Sequence, residues 1–258
     1  MSNFVILVGG PGLFKGCDKA HDQTWLNYIV PLQLAAQRDI YKKAKGEKVH
    51  WVVYEPPYIA RWKDDSVIDA SEKKQDDGFN LHSIRKKAAD KILARGAKSY
   101  IDRIKQVAVK FQITYKGIKT PDEFWAYLKS FPNESISRVW YSGHASTEGL
   151  MLALTHDPKS CEAQAFQKDM LFSTSISDVK NASVASRFSS KTKRVSKFYG
   201  CYTDKFAKKW NAVFGVASAG AKQKIDFGVI NRPSNIENVM KRIEQTPTSH
   251  GATGWTQF

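Results

Sequence analysis

Long apolar runs, paired cysteines and an export signal are all missing from this chain. No run approaches the roughly 18 to 20 apolar residues of a membrane span, and the segment Met1-Ser2-Asn3-Phe4 lacks the basic and apolar regions of a signal peptide. Cys17, Cys161 and Cys201 are sparse and odd in number, which argues against a disulfide framework. We therefore expect a protein that folds in a reducing compartment, and is cytoplasmic or secreted without a classical signal peptide.

Motifs that bind phosphate or metal ions are also missing. Gly9-Gly10-Pro11-Gly12 follows an apolar run, but no Gly-Lys-Ser/Thr and no Gly-x-Gly-x-x-Gly follows, so a turn is favoured over a nucleotide site. A few potential ligands have compatible spacings: Cys17, His21, Asp22, His156 and Cys161. Without a paired Cys-x-x-Cys or a His-Glu-x-x-His, they do not define a zinc site. We predict no metal site and no cofactor.

The chain carries a net charge of +15, which favours anionic partners. The basic residues are distributed over Lys42–Lys48, Arg85–Lys98, Lys191–Lys197 and Lys205–Lys209. These segments contain no arginine-rich tract and no known nucleic-acid-binding motif. The distribution favours a solvated basic surface, and a basic nucleic-acid-binding protein stays only as an alternative.

With 258 residues and 42% apolar content, the chain can bury one substantial core, and we expect a single domain over 1–258. Apolar runs predict strands at Phe4–Val8, Val49–Tyr54, Phe111–Tyr115, Ile136–Ser142, Val195–Gly200 and within about Val216–Val229. The polar stretch from Lys63 to Ser83 predicts a mobile surface loop.

Helical spacing and capping signals fall between these strands. They predict helices over Gln23–Ala44, Ile84–Val109, Thr120–Leu128, most of Glu162–Phe188, the segment after Cys201, and a capped segment from Ser234. Strands that alternate with helices predict an α/β fold. We expect a three-layer sandwich with a mostly parallel central sheet.

Two of the predicted strands lead into a reactive side chain. Ile136–Ser142 is followed by Gly143-His144, and Val195–Gly200 is followed by Cys201. Ligands collect at the carboxyl ends of strands in open α/β sheets, so the imidazole and the thiol could converge there. A thiolate attacks a carbonyl while an imidazole moves the proton. A helix beginning near Thr203 would favour the thiolate through its positive end.

These segments resemble the caspase-like cysteine peptidases, clan CD. The resemblance rests on Ser142-Gly143-His144, on Tyr199-Gly200-Cys201, and on the order strand-His, hairpin, helix, strand-Cys, helix. It covers Ile136–Phe227 well and the N-terminal strand and helix loosely. It implies a caspase-like sandwich and a cysteine endopeptidase that hydrolyses peptide bonds through a thioester acyl-enzyme.

The resemblance also implies roles for individual residues. His144 would be the catalytic histidine and Cys201 the nucleophile, with N–H groups of Gly143, Ala145 and Cys201 forming the oxyanion hole. The family usually has glycine where Ala145 stands, so the freedom of glycine in φ is lost there. Tyr-Gly-Cys-Tyr-Thr matches neither the caspase nor the metacaspase nucleophile motif, so no cleavage preference follows.

Two carboxylates could take part in substrate recognition, and two classes of partner are expected. Asp204 and Asp226 lie on segments that flank the substrate cleft in such a fold and could recognise a basic residue, although capping or surface roles are commoner. The overall organisation also resembles small bacterial secreted effector proteases, toxins that act in another cell's cytosol. That resemblance implies a protein or peptide substrate and an immunity or inhibitor protein as partner.

A lone cysteine is often a buried core residue, and a histidine beside Ser or Thr is often a hydrogen-bonded loop residue. A catalytically inactive caspase-like binding module therefore stays open as a second alternative. Ala145 is the feature of the sequence that most favours it.

Overall fold

A seven-stranded, mostly parallel sheet forms the centre of the protein. The computed structural model describes residues 2–12, 47–67, 89–156, 163–164, 167–178, 183–225 and 254–258. Its strands are β1 (Ser2–Val8), β2 (Glu47–Tyr54), β3 (Thr114–Ile118), β4 (Ile136–Ser142), β5 (His144–Ala145), β6 (Gly149–Met151), β7 (Thr155–His156), β8 (Ala163–Gln164), β9 (Met170–Phe172), β10 (Ser196–Tyr199), β11 (Ser218–Ala221) and β12 (Trp255–Gln257). The α-helices are α1 (Glu55–Ser66), α2 (Tyr100–Lys110), α3 (Pro121–Lys129) and α4 (Asp204–Phe214).

The strand order in the large sheet is β12-β11-β10-β4-β1-β2-β3, and only β12 is antiparallel to its neighbour. The chain builds outward from β1 through β2 to β3, and then returns to the other side of β1 with β4. The order therefore reverses between β1 and β4. In open α/β sheets the crevice at the carboxyl ends of the strands beside such a reversal is where ligands bind.

Both faces of the sheet are buried, which explains why β1 is apolar throughout. Phe4, Ile6 and Val8 contribute to one core cluster, and Val5 and Leu7 to another. Residues of α1 and α2 pack in the first cluster, and residues of α3 and α4 in the second. The predicted α/β fold with a mostly parallel sheet is confirmed, and helices on both faces are consistent with a three-layer sandwich.

The turn chemistry of two helices agrees with the sequence signals. The Thr120 hydroxyl accepts a hydrogen bond from the N–H of Glu123 at 3.4 Å, and Pro121 occupies the first turn of α3. Gly215 ends α4 with φ at 65°, a left-handed conformation that suits glycine. Local capping residues thus set the ends of both helices.

Several predictions differ from the structure. The strand predicted at Phe111–Tyr115 begins at Thr114 and runs to Ile118, and the helix predicted over Ile84–Val109 is interrupted around Gly96, between residues 93 and 100. The chain is helical to Ser66, so α1 includes the start of the predicted loop Lys63–Ser83, because Asp65 is buried and paired with Arg61 one turn earlier. Residues 68–83 lie outside the described residues. The described parts of Glu162–Phe188 form short strands and 3₁₀ turns and no α-helix. The edge strand β12 was not predicted. The helices predicted at Gln23–Ala44 and from Ser234 lie outside the described residues.

A buried histidine in β2 makes stability depend on pH. His50 is 4% exposed, and its two ring nitrogens lie 2.8 Å from the Tyr127 hydroxyl and 3.0 Å from the Asn3 side-chain oxygen. Burial, helped by the charge of Lys48, lowers the pKa of His50 from 6.5 to about 4. The folded state therefore favours the neutral imidazole. The contribution of this preference to the free energy of unfolding is complete above the unfolded pKa of 6.5.

This contribution to stability should be lost as the pH falls from 6.5 through 4. We expect about 3 kcal/mol of the free energy of unfolding to disappear over that window. Urea unfolding at pH 7 and pH 4, compared with His50→Gln, isolates this contribution from that of the carboxylates. An equal pH dependence in the two proteins would contradict the assignment.

Candidate active site

Adjacent parallel strands bring the two predicted catalytic segments to one edge of the sheet. Strand β10 pairs with β4 so that Tyr199 lies opposite Ser142. The pairing continues past the strand ends, because the N–H of Gly143 donates to the carbonyl of Tyr199 at 3.1 Å. His144 and Cys201 follow this pairing directly, each after the carboxyl end of its strand.

The backbones of the two segments approach so closely that glycine is needed at position 200. A Cβ at Gly200 would lie 2.7 Å from the Ala145 Cβ and 3.0 Å from the carbonyl oxygen of Gly143. Ala145 itself lies in β5 outside the left-handed region. The loss of glycine at position 145 therefore causes no backbone strain, and Gly200 leaves room for the extra methyl group.

A buried tyrosine fixes the backbone that carries His144. His144 is 9% exposed and pairs with Met151 in the β5–β6 hairpin. The Tyr141 hydroxyl lies 2.5 Å from the carbonyl oxygen of His144 and 2.8 Å from that of Met151. Glycine at position 143 admits this hydroxyl, because a Cβ there would lie 2.3 Å from it. Tyr141 is thus a positioning residue for the histidine loop.

For a catalytic His144, Tyr141→Phe is expected to lower kcat about tenfold and to change KM much less, because the freed loop holds the imidazole less well. Stability should fall by about 1 kcal/mol, since the hydrogen bond that the buried hydroxyl shares between the two carbonyls is lost. Tyr100→Phe is the matched control. It removes another buried hydrogen bond, in which the hydroxyl of Tyr100 on α2 donates to Asp65 on α1 at 2.6 Å. Equal kcat values in the two variants would contradict a positioning role for Tyr141.

The turn that carries Cys201 is held by a fully buried threonine. The Thr203 hydroxyl lies 2.6 Å from the carbonyl of Phe198, and it accepts the N–H of Ala221 in β11 at 3.0 Å. Tyr202, directly after the cysteine, has φ at 56°, a conformation that costs energy for a side chain of its size. Helix α4 begins at Asp204, as the sequence predicted for the strand-to-helix turn. The packing of this turn thus holds Cys201 in a defined place.

The electrostatics of the thiol oppose the expectation from the helix N-terminus. Burial raises the pKa of Cys201, although the N–H of Ile225 lies 3.4 Å from the sulfur and favours the thiolate. Lys224 and the N–H of Cys201 itself act in the same direction as Ile225. Because burial dominates, the resting group is a protonated thiol at neutral pH. A base is needed to activate it.

The structure distinguishes among the three predicted oxyanion donors. The N–H of Gly143 donates to the carbonyl of Tyr199, so it is not available to an oxyanion in this structure. Ser146 and Gly149 exchange backbone hydrogen bonds, and bonding alternates along an antiparallel ladder, so the N–H of Ala145 points away from β6. The N–H of Cys201 lies beside its own sulfur. Ala145 and Cys201 remain as candidate donors.

The remaining predicted site residues do not form one group. Asp204 lies half-buried in the first turn of α4, where it complements the helix dipole. Asp226 lies outside the described residues, as do Cys17, His21, Asp22 and Cys161. Among the residues that the structure describes, no cluster of three metal-ligating side chains occurs. No described helix is long and apolar enough to cross a membrane.

Sequence reasoning missed Tyr141 and Thr203. Both lie in segments that the strand and turn patterns located, but a tyrosine in an apolar strand is indistinguishable from a core residue until its hydroxyl is placed.

Comparisons with protein-family models, with curated proteins and with solved structures found no match to this chain.

Proposed function

We propose that the protein is a caspase-like cysteine endopeptidase. The observation that carries the proposal is the meeting of the His144 and Cys201 segments at the carboxyl edge of the sheet, through the Gly143–Tyr199 hydrogen bond and the Ala145–Gly200 contact. Four of the five elements that suggested the family occur in the expected order: strand-His, hairpin, strand-Cys and the helix after it. The described residues between the hairpin and β10 lack the α-helix of that order.

In this mechanism His144 takes the proton of the Cys201 thiol as the sulfur attacks the peptide carbonyl. The carbonyl oxygen becomes an oxyanion, which the N–H groups of Cys201 and Ala145 stabilise. His144 then gives its proton to the leaving amine, so that the C–N bond breaks and a thioester remains. Water, deprotonated by His144, attacks the thioester and restores the thiol. The raised pKa of Cys201 fits a thiol that becomes deprotonated during attack.

The wider context of the activity is part of the same proposal. One domain over 1–258 would contain the whole catalytic apparatus. As a secreted effector or toxin, the enzyme would cut proteins in a target cell, with an immunity protein protecting the producer. Its positive charge, +15, would aid its approach to acidic partners.

Hydrolysis of a mixed peptide library tests the proposal. Wild-type protein should produce new peptide termini that mass spectrometry identifies, and the products should share a sequence preference around the cleaved bond. A library that stays intact at micromolar enzyme and long incubation would contradict the proposal.

An inactive binding module is the second candidate, favoured by the burial that raises the pKa of the Cys201 thiol. It predicts that iodoacetamide near neutral pH alkylates Cys201 no faster in wild type than in His144→Ala. The peptidase predicts faster alkylation when His144 is present, because the imidazole assists deprotonation. A nucleic-acid binder would instead be retained on DNA with a steep dependence on salt.

A further inference from the structure

The glycine-rich loop Gly9–Gly12 directly follows β1 at the carboxyl edge of the sheet. It lies where the strand order reverses between β1 and β4, and the segment with His144 follows β4 on the same edge. Open α/β sheets bind their ligands at such a reversal. The Gly9–Gly12 loop is therefore a neighbour of the candidate catalytic histidine.

Two consecutive N–H groups of this loop hold both ends of the β5–β6 hairpin, which carries His144. The N–H of Gly9 donates to the carbonyl of Ser142 at 2.9 Å, and the N–H of Gly10 donates to that of Leu152 at 2.8 Å. Ser142 is the last residue of β4, two positions before His144. Leu152 directly follows β6, the strand that pairs with β5. The loop thus fixes the hairpin where the chain enters it and where the chain leaves it.

The same hydrogen bonds explain why this glycine-rich motif does not form a phosphate-binding loop. Such a loop directs successive free N–H groups at the anion. Here the N–H groups of Gly9 and Gly10 donate to backbone carbonyls, and Pro11 has no N–H. The motif therefore serves the packing of the histidine hairpin, and the turn favoured by the sequence fits this arrangement.

Helix α1 holds the other side of the loop through two buried side chains. The Tyr58 hydroxyl donates to the carbonyl of Gly9 at 2.8 Å, and an N–H of Arg61 donates to that of Gly12 at 3.1 Å. Tyr58 and Arg61 are 0% and 2% exposed, and they lie three residues apart on one face of the helix. Both hydrogen bonds are buried, so a carbonyl that loses its donor is left without water to replace it.

The loop is closely packed on both sides. A Cβ at Gly9 would lie 3.4 Å from the Cα of Gly143 and 3.1 Å from the hydroxyl oxygen of Tyr141. A Cβ at Gly10 would overlap the ring of Pro57 on α1. Because interiors packed this closely transmit small shifts, a displacement of the loop also displaces the histidine hairpin.

We propose that Tyr58 is a positioning residue for His144 and acts through the Gly9–Gly12 loop. Its hydroxyl fixes Gly9 against α1, and the N–H groups of the loop then fix both ends of the β5–β6 hairpin. The imidazole is thereby kept where it can take the proton of the Cys201 thiol. The inference rests on the proposed peptidase function, because it gives this loop a part in the proton transfer.

The kinetic test uses Tyr58→Phe, which removes the hydroxyl and keeps the ring. It should lower kcat about fivefold and change KM less than about twofold, because one net hydrogen bond that holds the imidazole is lost. Tyr127→Phe is the matched control, since it removes a hydroxyl that lies 2.8 Å from His50, near the amino ends of the strands. It should keep the wild-type kcat.

A double variant separates a positioning role from a merely structural one. In His144→Ala, the further change Tyr58→Phe should not lower the residual kcat, because Tyr58 acts through the imidazole. The inference would be overturned by an unchanged kcat in Tyr58→Phe, by an equal loss in Tyr127→Phe, or by the same fivefold loss in the His144→Ala background.

Hydrogen exchange measured by NMR tests the loop without any peptidase activity. In Tyr58→Phe the N–H groups of Gly9, Gly10 and Gly143 should exchange about fivefold faster relative to those of β3, and Tyr127→Phe should leave this ratio unchanged. Faster exchange at Gly143 in a protein that hydrolyses no peptide would reject the peptidase alone. Hydrolysis by the wild type, with exchange at Gly143 unchanged in Tyr58→Phe, would reject the positioning role alone.

Discussion

Replacing Cys201 by alanine is expected to reduce kcat/KM for peptide hydrolysis by at least about 10⁴-fold, the largest effect of any single change. The substitution removes the sulfur that forms the thioester, and oxyanion donors alone supply only a small part of such catalysis. The side chain is half-buried in a turn that the Thr203 hydroxyl and the α4 backbone hold, so the fold should persist. Initial rates with the best library peptide measure the loss.

His144→Ala should lose nearly as much activity as Cys201→Ala, and the double variant should lose little more, because the two groups act in one step. Ser146→Ala is the matched control, since it shortens a side chain of the same loop whose hydroxyl only accepts the N–H of Glu148. Wild-type activity is expected for Ser146→Ala. If wild type, Cys201→Ala and His144→Ala hydrolyse peptides alike, the catalytic pair is wrong.

Gly220→Ala should lower the free energy of unfolding by about 3 kcal/mol or more and remove most of the activity. A Cβ at this position in β11 would lie 2.3 Å from the carbonyl oxygen of Thr203 and 2.7 Å from the N–H nitrogen of Asp204. Both atoms belong to the backbone, so neither can move aside as a side chain would. The strand-to-helix turn that carries Cys201 must therefore shift.

Gly96→Ala is the matched control for this prediction. Gly96 has φ at 71°, and a Cβ there would meet no atom within 4 Å. Gly96→Ala should lower the free energy of unfolding only by the about 1 to 2 kcal/mol that a left-handed backbone conformation costs a residue with a Cβ. It should leave kcat unchanged. Urea unfolding and initial rates on both variants compare the two costs. Similar values would show that the contact between β11 and the Cys201 turn does not position the thiol.

The fold was largely predictable because apolar runs and capping signals are local. Ile136–Ser142 is a strand as predicted, and α4 begins after Cys201 and ends at Gly215. The error at Glu162–Phe188 has a physical cause. Its scattered apolar residues, such as Met170 and Leu171, are buried on short strands and 3₁₀ turns, and local spacing alone cannot distinguish these from a helix.

The site was predictable only in outline. The sequence located His144 and Cys201 at strand ends, but the pairing of β4 with β10 is a long-range property. The engagement of the Gly143 N–H follows from that pairing, so it could not be foreseen. Burial of the thiol likewise depends on the tertiary fold and reversed the expected direction of the Cys201 pKa.

The most direct test of the central claim is detection of the thioester itself. Wild-type protein is mixed with an activated peptide ester, quenched in acid within seconds, and measured by intact mass and peptide mapping. The account predicts one peptidyl group on Cys201 in wild type, a much slower appearance in His144→Ala, and none in Cys201→Ala. Peptide cleavage without any acyl group on Cys201, or acylation that is equally fast in His144→Ala, would contradict it.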